Sequence, residues 1–291
     1  MMKVNFDDEK WADLTPIPNP GDENGPFGIR YGGSYGTTME YFRALMNINE
    51  LSERALEVVT FLCQANPSNP APFWYRQRIL EKIGYNFDEE LEFTTKLANQ
   101  YLKPYQIWNH RQWLVSKCEN PPDETGFMKF ILKLDCKNFH AWEYFYWLAE
   151  TYDRMQWLFD QATLQVQLNS NNNSAWSMRY SSMQKINLTV NEDIQFVLDE
   201  YKKNPESRSI ASYLLAYVKL DTSIIQKVKD VLNEILSQNG QIVGTLTLLA
   251  QIAEFEGNHD EYCHIADKII ELDEMHANFW NLMKSDSSKF K

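Results

Sequence analysis

The sequence predicts an all-α protein made of stacked two-helix hairpins, about seven of them, and three observations carry that prediction. Trp74, Trp108, Trp142 and Trp176 recur at a constant interval of 34 residues. From Met39 onward glycine is rare, and apolar residues fall at helical spacing, as in Leu91, Leu97 and Leu102 or Phe130, Ile131 and Leu134. Each tryptophan follows a polar or proline-containing turn: NPAPFW, KPYQIW, KNFHAW and NNNSAW. About 34 residues suffice for two helices of three to four turns with two short connections, the arithmetic of a helical solenoid.

The chain opens on residues that cannot hold a regular element. Six of its 11 glycines lie between Gly21 and Gly36, with Pro16, Pro18, Pro20 and Pro26 in or beside that stretch. Residues 1–37 therefore read as an irregular arm and 38–291 as the repeat domain. In the repeats the tryptophan marks the second helix. The first helix precedes it, as in DEELEFTTKLANQYL before Trp108, DETGFMKFILKL before Trp142 and MQWLFDQATLQVQL before Trp176. Towards the C-terminus the pattern fades, with Ala211 near the tryptophan position and Trp280 two repeats further on, as expected where terminal repeats meet different neighbours. The tryptophans themselves read as packing residues between hairpins, each indole N–H satisfied locally.

Composition narrows the function. Forty Asp and Glu against 28 Lys and Arg leave a net charge of -12, which repels a phosphate backbone and argues against nucleic-acid binding. No run of about 18 uncharged apolar residues could span a bilayer. The start MMKVNFDDEKW has no basic segment followed by an apolar one, so a cytoplasmic location is the expectation. Cys63, Cys118, Cys136 and Cys263 contain no CxxC pair and read as reduced small hydrophobes. Cys136 and His140 could face one another on a helix, but no second pair completes a zinc site, so no metal is expected on this chain.

The residues also carry a resemblance. WADLTPIP at 11–18, YFRALMNINELSERAL at 41–56, and the segments KPYQIWNHRQWL, KNFHAWEYFYWL and NNNSAWSMRY resemble the α subunits of protein farnesyltransferase and type I geranylgeranyltransferase over nearly the whole chain. Tetratricopeptide arrays share the hairpin length, but their W-x-x-L-G pattern is absent from the four tryptophan repeats. The resemblance implies a right-handed superhelical crescent of hairpins embracing a β subunit. It further implies a reaction moving a farnesyl or geranylgeranyl group from its diphosphate to the cysteine of a C-terminal CaaX motif, on substrates such as small GTPases. Zinc would be held by the β subunit, and Mg²⁺ would accompany the diphosphate. A Rab-type geranylgeranyltransferase α subunit and a non-catalytic tetratricopeptide-like scaffold are the alternatives.

Departure of a diphosphate builds negative charge on its oxygens, which calls for fixed cations and hydrogen-bond donors. The turn before Trp108 holds Lys103 and Tyr105, and the turn one repeat later holds Lys137, Asn138, Phe139 and His140. Ordinary helix packing sets such turns side by side, about 10 Å apart. Lys103, Tyr105, Asn138 and His140 together can form one donor surface there; by resemblance Lys103 is the electrostatic stabiliser of the leaving group, with Tyr105 and His140 lining the diphosphate pocket. The chain departs from the family pattern at Pro104, where Asn is usual, at Phe139, where Tyr is usual, and after Trp142, where EYFYW lacks a basic pair. Arg111 and Arg179, each three residues beyond a tryptophan, are expected to pair with an acidic residue of the adjacent hairpin or of the β subunit.

Overall fold

A computed structural model describes residues 4–19 and 31–285, and the part of the predicted arm at 20–30 lies outside them. Among the described residues there are fifteen α-helices and no strand. The chain divides into two compact halves between Tyr144 and Phe145. The first half holds α1 (Gly33–Asn47), α2 (Glu53–Ala65), α3 (Pro70–Ile83), α4 (Phe87–Gln100), α5 (Tyr105–Val115), α6 (Thr125–Leu134) and the start of α7 (Phe139–Thr151). The second half continues with α8 (Met155–Leu168), α9 (Asn173–Lys185), α10 (Val190–Lys203), α11 (Arg208–Leu220), α12 (Ile225–Asn239), α13 (Val243–Phe255), α14 (His259–Leu272) and α15 (Ala277–Ser285). After α1 the helices fall in chain order into seven pairs, and the all-α hairpin prediction holds. No helix of the described residues is long and apolar enough to cross a membrane.

Short polar residues start the helices. Asn69, Asn86, Asn172 and Ser207 each accept a backbone N–H of the first turn, and Thr189 with Glu192 forms a capping box. Asn138 caps α7 in the same way, taking the Ala141 N–H at 3.0 Å. Gly84 ends α3 at φ +84°, a conformation an L side chain rarely adopts. In the first half α2 packs on α3, α4 on α5 and α3 on α5; in the second α8 packs on α9, α10 on α11 and α9 on α11. These are the nearest-neighbour contacts of a hairpin array.

Three of the four periodic tryptophans are core residues. Trp108, Trp142 and Trp176 are 2–3% exposed, and each indole N–H donates to the carbonyl six residues earlier, at Leu102, Cys136 and Ser170. Trp74 is the exception, 51% exposed, with Arg78 lying 4.8 Å from its ring. Counting from the helix caps explains this: the anchor lies four residues after the cap, so Asn69 assigns it to Phe73, which is 3% exposed. The interval from Asn69 to Pro104 is one residue longer than the two that follow, Pro104 to Asn138 and Asn138 to Asn172. That extra residue turns Trp74 about 100° off the buried face.

A second period is charged and buried. Arg76, Arg111 and Arg179, each three residues after an anchor, bond Glu90, Glu124 and Asp193 respectively. Each arginine also reaches a threonine of the preceding helix, Thr60, Thr94 and Thr95, or Thr163. Each guanidinium lies over a phenylalanine three residues beyond the acid, at 4.1 Å for Phe93, 3.8 Å for Phe127 and 4.3 Å for Phe196. The expected pairing of Arg111 and Arg179 is thus made within the chain, by acids at the start of the next hairpin. In the repeat of α7 the arginine is replaced by Phe145, and the acid position by Leu158, both fully buried. That repeat drops the charge pair as a unit.

The described part of the arm is fixed to the first helices. Trp11 is 2% exposed, and Phe6 stacks on Tyr41 of α1 with ring centroids 3.9 Å apart. Arg54 of α2 grips both carboxylate oxygens of Asp13, at 2.6 and 2.9 Å, and also bonds Glu50.

Candidate functional site at adjoining repeat turns

The turn leading into α5 and the turn leading into α7 are stitched together by two side chains. Asn138 is fully buried: its Nδ2 donates to the Leu102 carbonyl at 2.9 Å, while its Oδ1 caps α7. That same Leu102 carbonyl receives the Trp108 indole, so the turn is pinned from its own helix and from the next repeat. The second link is an ion pair, Lys103 Nζ to Asp135 Oδ2 at 2.5 Å.

Of the four residues expected at this site, the structure brings together Tyr105 and His140. Their ring centroids are 6.5 Å apart, and both line a groove of about 280 Å³ between α5 and α7 with Trp108, Asn109, Gln112, Glu143 and Tyr144. Lys103 is not among the residues that line the groove; it lies two residues before Tyr105, its side chain 75% exposed and tethered to Asp135. Asn138 takes a different place from the one expected. Its amide serves the frame, Nδ2 donating to Leu102 and Oδ1 capping α7, and the side chain is fully buried rather than turned to the groove. Phe139 projects 71% exposed at the start of α7, its ring edge-on to His140 at 5.6 Å.

Pro104 proves compatible with this geometry. It opens α5 without donating, as the first turn of a helix allows. The cross-repeat bond that a cap side chain would supply comes instead from Gln106, whose Nε2 donates to the Ser68 carbonyl at 2.6 Å. Ser207 makes the equivalent contact three repeats on, to the Ser170 carbonyl at 3.1 Å.

Asp135 is the site residue that sequence reasoning passed over. Its carboxyl is held below the ordinary range chiefly by the hydrogen bond from Lys103, which outweighs the opposing effect of burial, with lesser help from the Lys137 N–H and Asn138. It ends α6, 32 residues from Lys103, and only the stacking of hairpins makes them neighbours. Among the described residues no group of three or more His, Cys, Asp or Glu could hold a metal ion.

Both turns lie within segments that match the protein prenyltransferase alpha subunit repeat, at residues 87–118 and 121–152. The backbone superposes on a chain of Candida albicans protein geranylgeranyltransferase-I complexed with GGPP, with a TM-score of 0.83 over 96% of this chain and 100% of that one, at 26% identity. This chain thus carries two protein prenyltransferase alpha subunit repeats and shares the fold of that geranylgeranyltransferase-I chain. Among curated proteins similar to this chain, the farnesyltransferase/geranylgeranyltransferase type-1 subunit alpha of Schizosaccharomyces pombe is 38% identical over 40% of this chain and 39% of its own length. That of Candida albicans is 29% identical over 93% of this chain and 95% of its own. A geranylgeranyl transferase type-2 subunit alpha of Saccharomyces cerevisiae stands further off, 22% identical over 73% of this chain and 72% of its own. Within the prenyltransferase α-subunit fold, the Lys103, Tyr105 and His140 constellation sits on two neighbouring repeats that both match the family.

Proposed function

We propose that this chain is the α subunit of a heterodimeric protein farnesyltransferase or type I geranylgeranyltransferase. The enzyme transfers an isoprenoid group from its diphosphate to the cysteine of a CaaX motif. The observation that carries the reading is the junction of two turns that sets an exposed lysine, a tyrosine hydroxyl and a histidine along one edge of matched family repeats.

In that reaction the bond between the allylic carbon and the diphosphate oxygen breaks, its electron pair leaves with the diphosphate, and the cysteine sulfur bonds the carbon. Zinc on the β subunit supplies activation of the thiol, and Mg²⁺ accompanies the diphosphate. This chain serves the other reactant. The Lys103 ammonium offsets charge growing on the departing oxygens, while Tyr105 Oη–H and the His140 ring offer hydrogen bonds from the groove wall. The buried arginine pairs and Asn138 keep the two turns in register, so that these donors need little reorganisation when charge develops. The protein works in the cytoplasm in this reading.

Co-expression with a type I β subunit should give a 1:1 complex active on CaaX peptides, and the α chain alone should be inactive. In the complex, Lys103→Ala should lower the single-turnover rate about 10- to 10³-fold, the usual effect of losing one leaving-group donor. An unchanged rate in an assembled complex would refute the assignment of Lys103. A complex that ignores short CaaX peptides and needs an escort protein would point to the Rab-type enzyme instead.

A further inference from the structure

We propose that Asp135 is the resident anion of the diphosphate site: it occupies the Lys103 ammonium in the empty enzyme, yields it to the incoming isoprenoid diphosphate, and so sets the affinity for that substrate. This rests on the role given to Lys103 above and extends it to the residue that the lysine must leave.

The two partners are unequal. The Asp135 side chain is 22% exposed and fastened to its own turn, where Oδ1 accepts the Lys137 N–H at 3.2 Å. Lys103 is 75% exposed and reaches Oδ2 through a flexible four-carbon stem. On arrival of a diphosphate the lysine can move and the aspartate cannot. Asp135 is also ionised throughout the neutral range, because its carboxyl titrates below the ordinary carboxylate value. Every binding event therefore exchanges one anion for another at the same ammonium, and every release of diphosphate is assisted by the carboxylate returning.

The exchange has a bounded size. Exposed ion pairs are weak, so their loss weakens binding by a factor of about two to five rather than by decades. The place is also particular to this repeat. Three residues before the second-helix cap stand Tyr101, Asp135, Asn169 and Asn204 in four successive repeats, and the acid occurs in the one that faces Lys103.

The test uses the assembled heterodimer, with farnesyl diphosphate and inorganic diphosphate as probes in equilibrium binding. Asp135→Asn, which keeps an acceptor for the Lys137 N–H, should tighten the Kd of both about two- to fivefold and lower the isoprenoid KM without raising kcat. Asp135→Ser, a smaller uncharged acceptor, should do the same should the first variant fold poorly. With Lys103→Ala in the background, neither change should alter affinity. Unchanged or weakened binding in the presence of Lys103 overturns the proposal, and so does equal tightening in its absence. A lowered kcat and melting temperature at unchanged KM would mark a purely structural residue. Should Lys103→Ala slow the single turnover while Asp135→Asn keeps wild-type affinity, only this inference fails; a normal single-turnover rate in Lys103→Ala removes the reading beneath it.

Discussion

Arg111→Met should destabilise the first half of the chain by about 3–5 kcal/mol, the toll of stranding one member of a buried ion pair. Both partners are only 2% exposed, and the guanidinium bonds both Glu124 oxygens at 2.9 Å, Thr94 at 2.8 Å and Thr95 at 2.9 Å. Burial already lifts the Glu124 carboxyl above its usual range, with Arg111 opposing that lift. Methionine fills much of the arginine's volume but leaves the carboxylate without a cation or donors. An exposed pair such as Lys117 with Glu81 is worth only about 0–1 kcal/mol, so Lys117→Ala provides the baseline. The repeat of α7 supplies the rescue, since it carries Phe145 and Leu158 at the two positions. Arg111→Phe combined with Glu124→Leu should therefore recover most of the loss, ending within about 2 kcal/mol of the parent. Urea unfolding of the assembled complex, followed by circular dichroism across the double-mutant cycle, reads both quantities. A single variant no worse than Lys117→Ala, or a double variant as unstable as the single, would refute the view that these arginines serve the acids they touch.

Other expectations follow from the same frame. Burial works to raise Glu90, but hydrogen bonds from His110 and Arg76 outweigh it and hold it at about 2, while burial holds the His110 imidazole below its ordinary value. Both are depressed in the folded state, so the stability they contribute is present above their unfolded values and lost on acidification. The His110 share should fade below about 6.5 and the Glu90 share between about 4.5 and 2, which thermal melts against pH would show; His110→Gln should abolish the first decline, and a profile flat from 7 to 5 in the parent would contradict the reasoning. Trp11→Ala should cost about 3–5 kcal/mol, since the ring is buried against Phe6 and Tyr41, and a melting temperature unchanged from the parent would show the arm to be dispensable. Asn138→Ala should cost about 1–2 kcal/mol through the lost cap and the lost bond to Leu102; equal stability by urea titration would dispute its place in the frame.

Much of the architecture is legible in the sequence because each hairpin repeats one solution to one packing problem. Tryptophan spacing alone exposes the hairpin length, and arginine three residues further on exposes the buried charge. Where this reading slips, it slips by one residue. Trp74 keeps the 34-residue interval by coincidence, because an extra residue between Asn69 and Pro104 has moved the anchor to Phe73, and only the cap positions reveal the shift. Asn138 shows a related ambiguity: a polar residue at a functional turn is also the best cap for the helix behind it. Its exposure separates the two roles, and sequence does not carry exposure. Asp135 escapes notice because its partner lies a full repeat away.

The frame by itself does not account for the site. A groove of about 460 Å³ between α9 and α11 is built on the same plan as the one between α5 and α7, with Trp176 and Tyr213 on its walls. What differs is the residue just before each cap, which reads Lys103, Lys137, Asn171 and Glu206 along four successive repeats. Cationic character thus falls from two lysines through a neutral amide to an acid, while the cap positions keep their place in the repeat. In a chain of net charge -12, two lysines on adjoining turns make a local reversal of sign where an anion can be held. Stability requires the hairpins to be alike, and chemistry requires one pair of turns to differ. The departures from the repeat therefore locate the reactive edge more sharply than the repeat does.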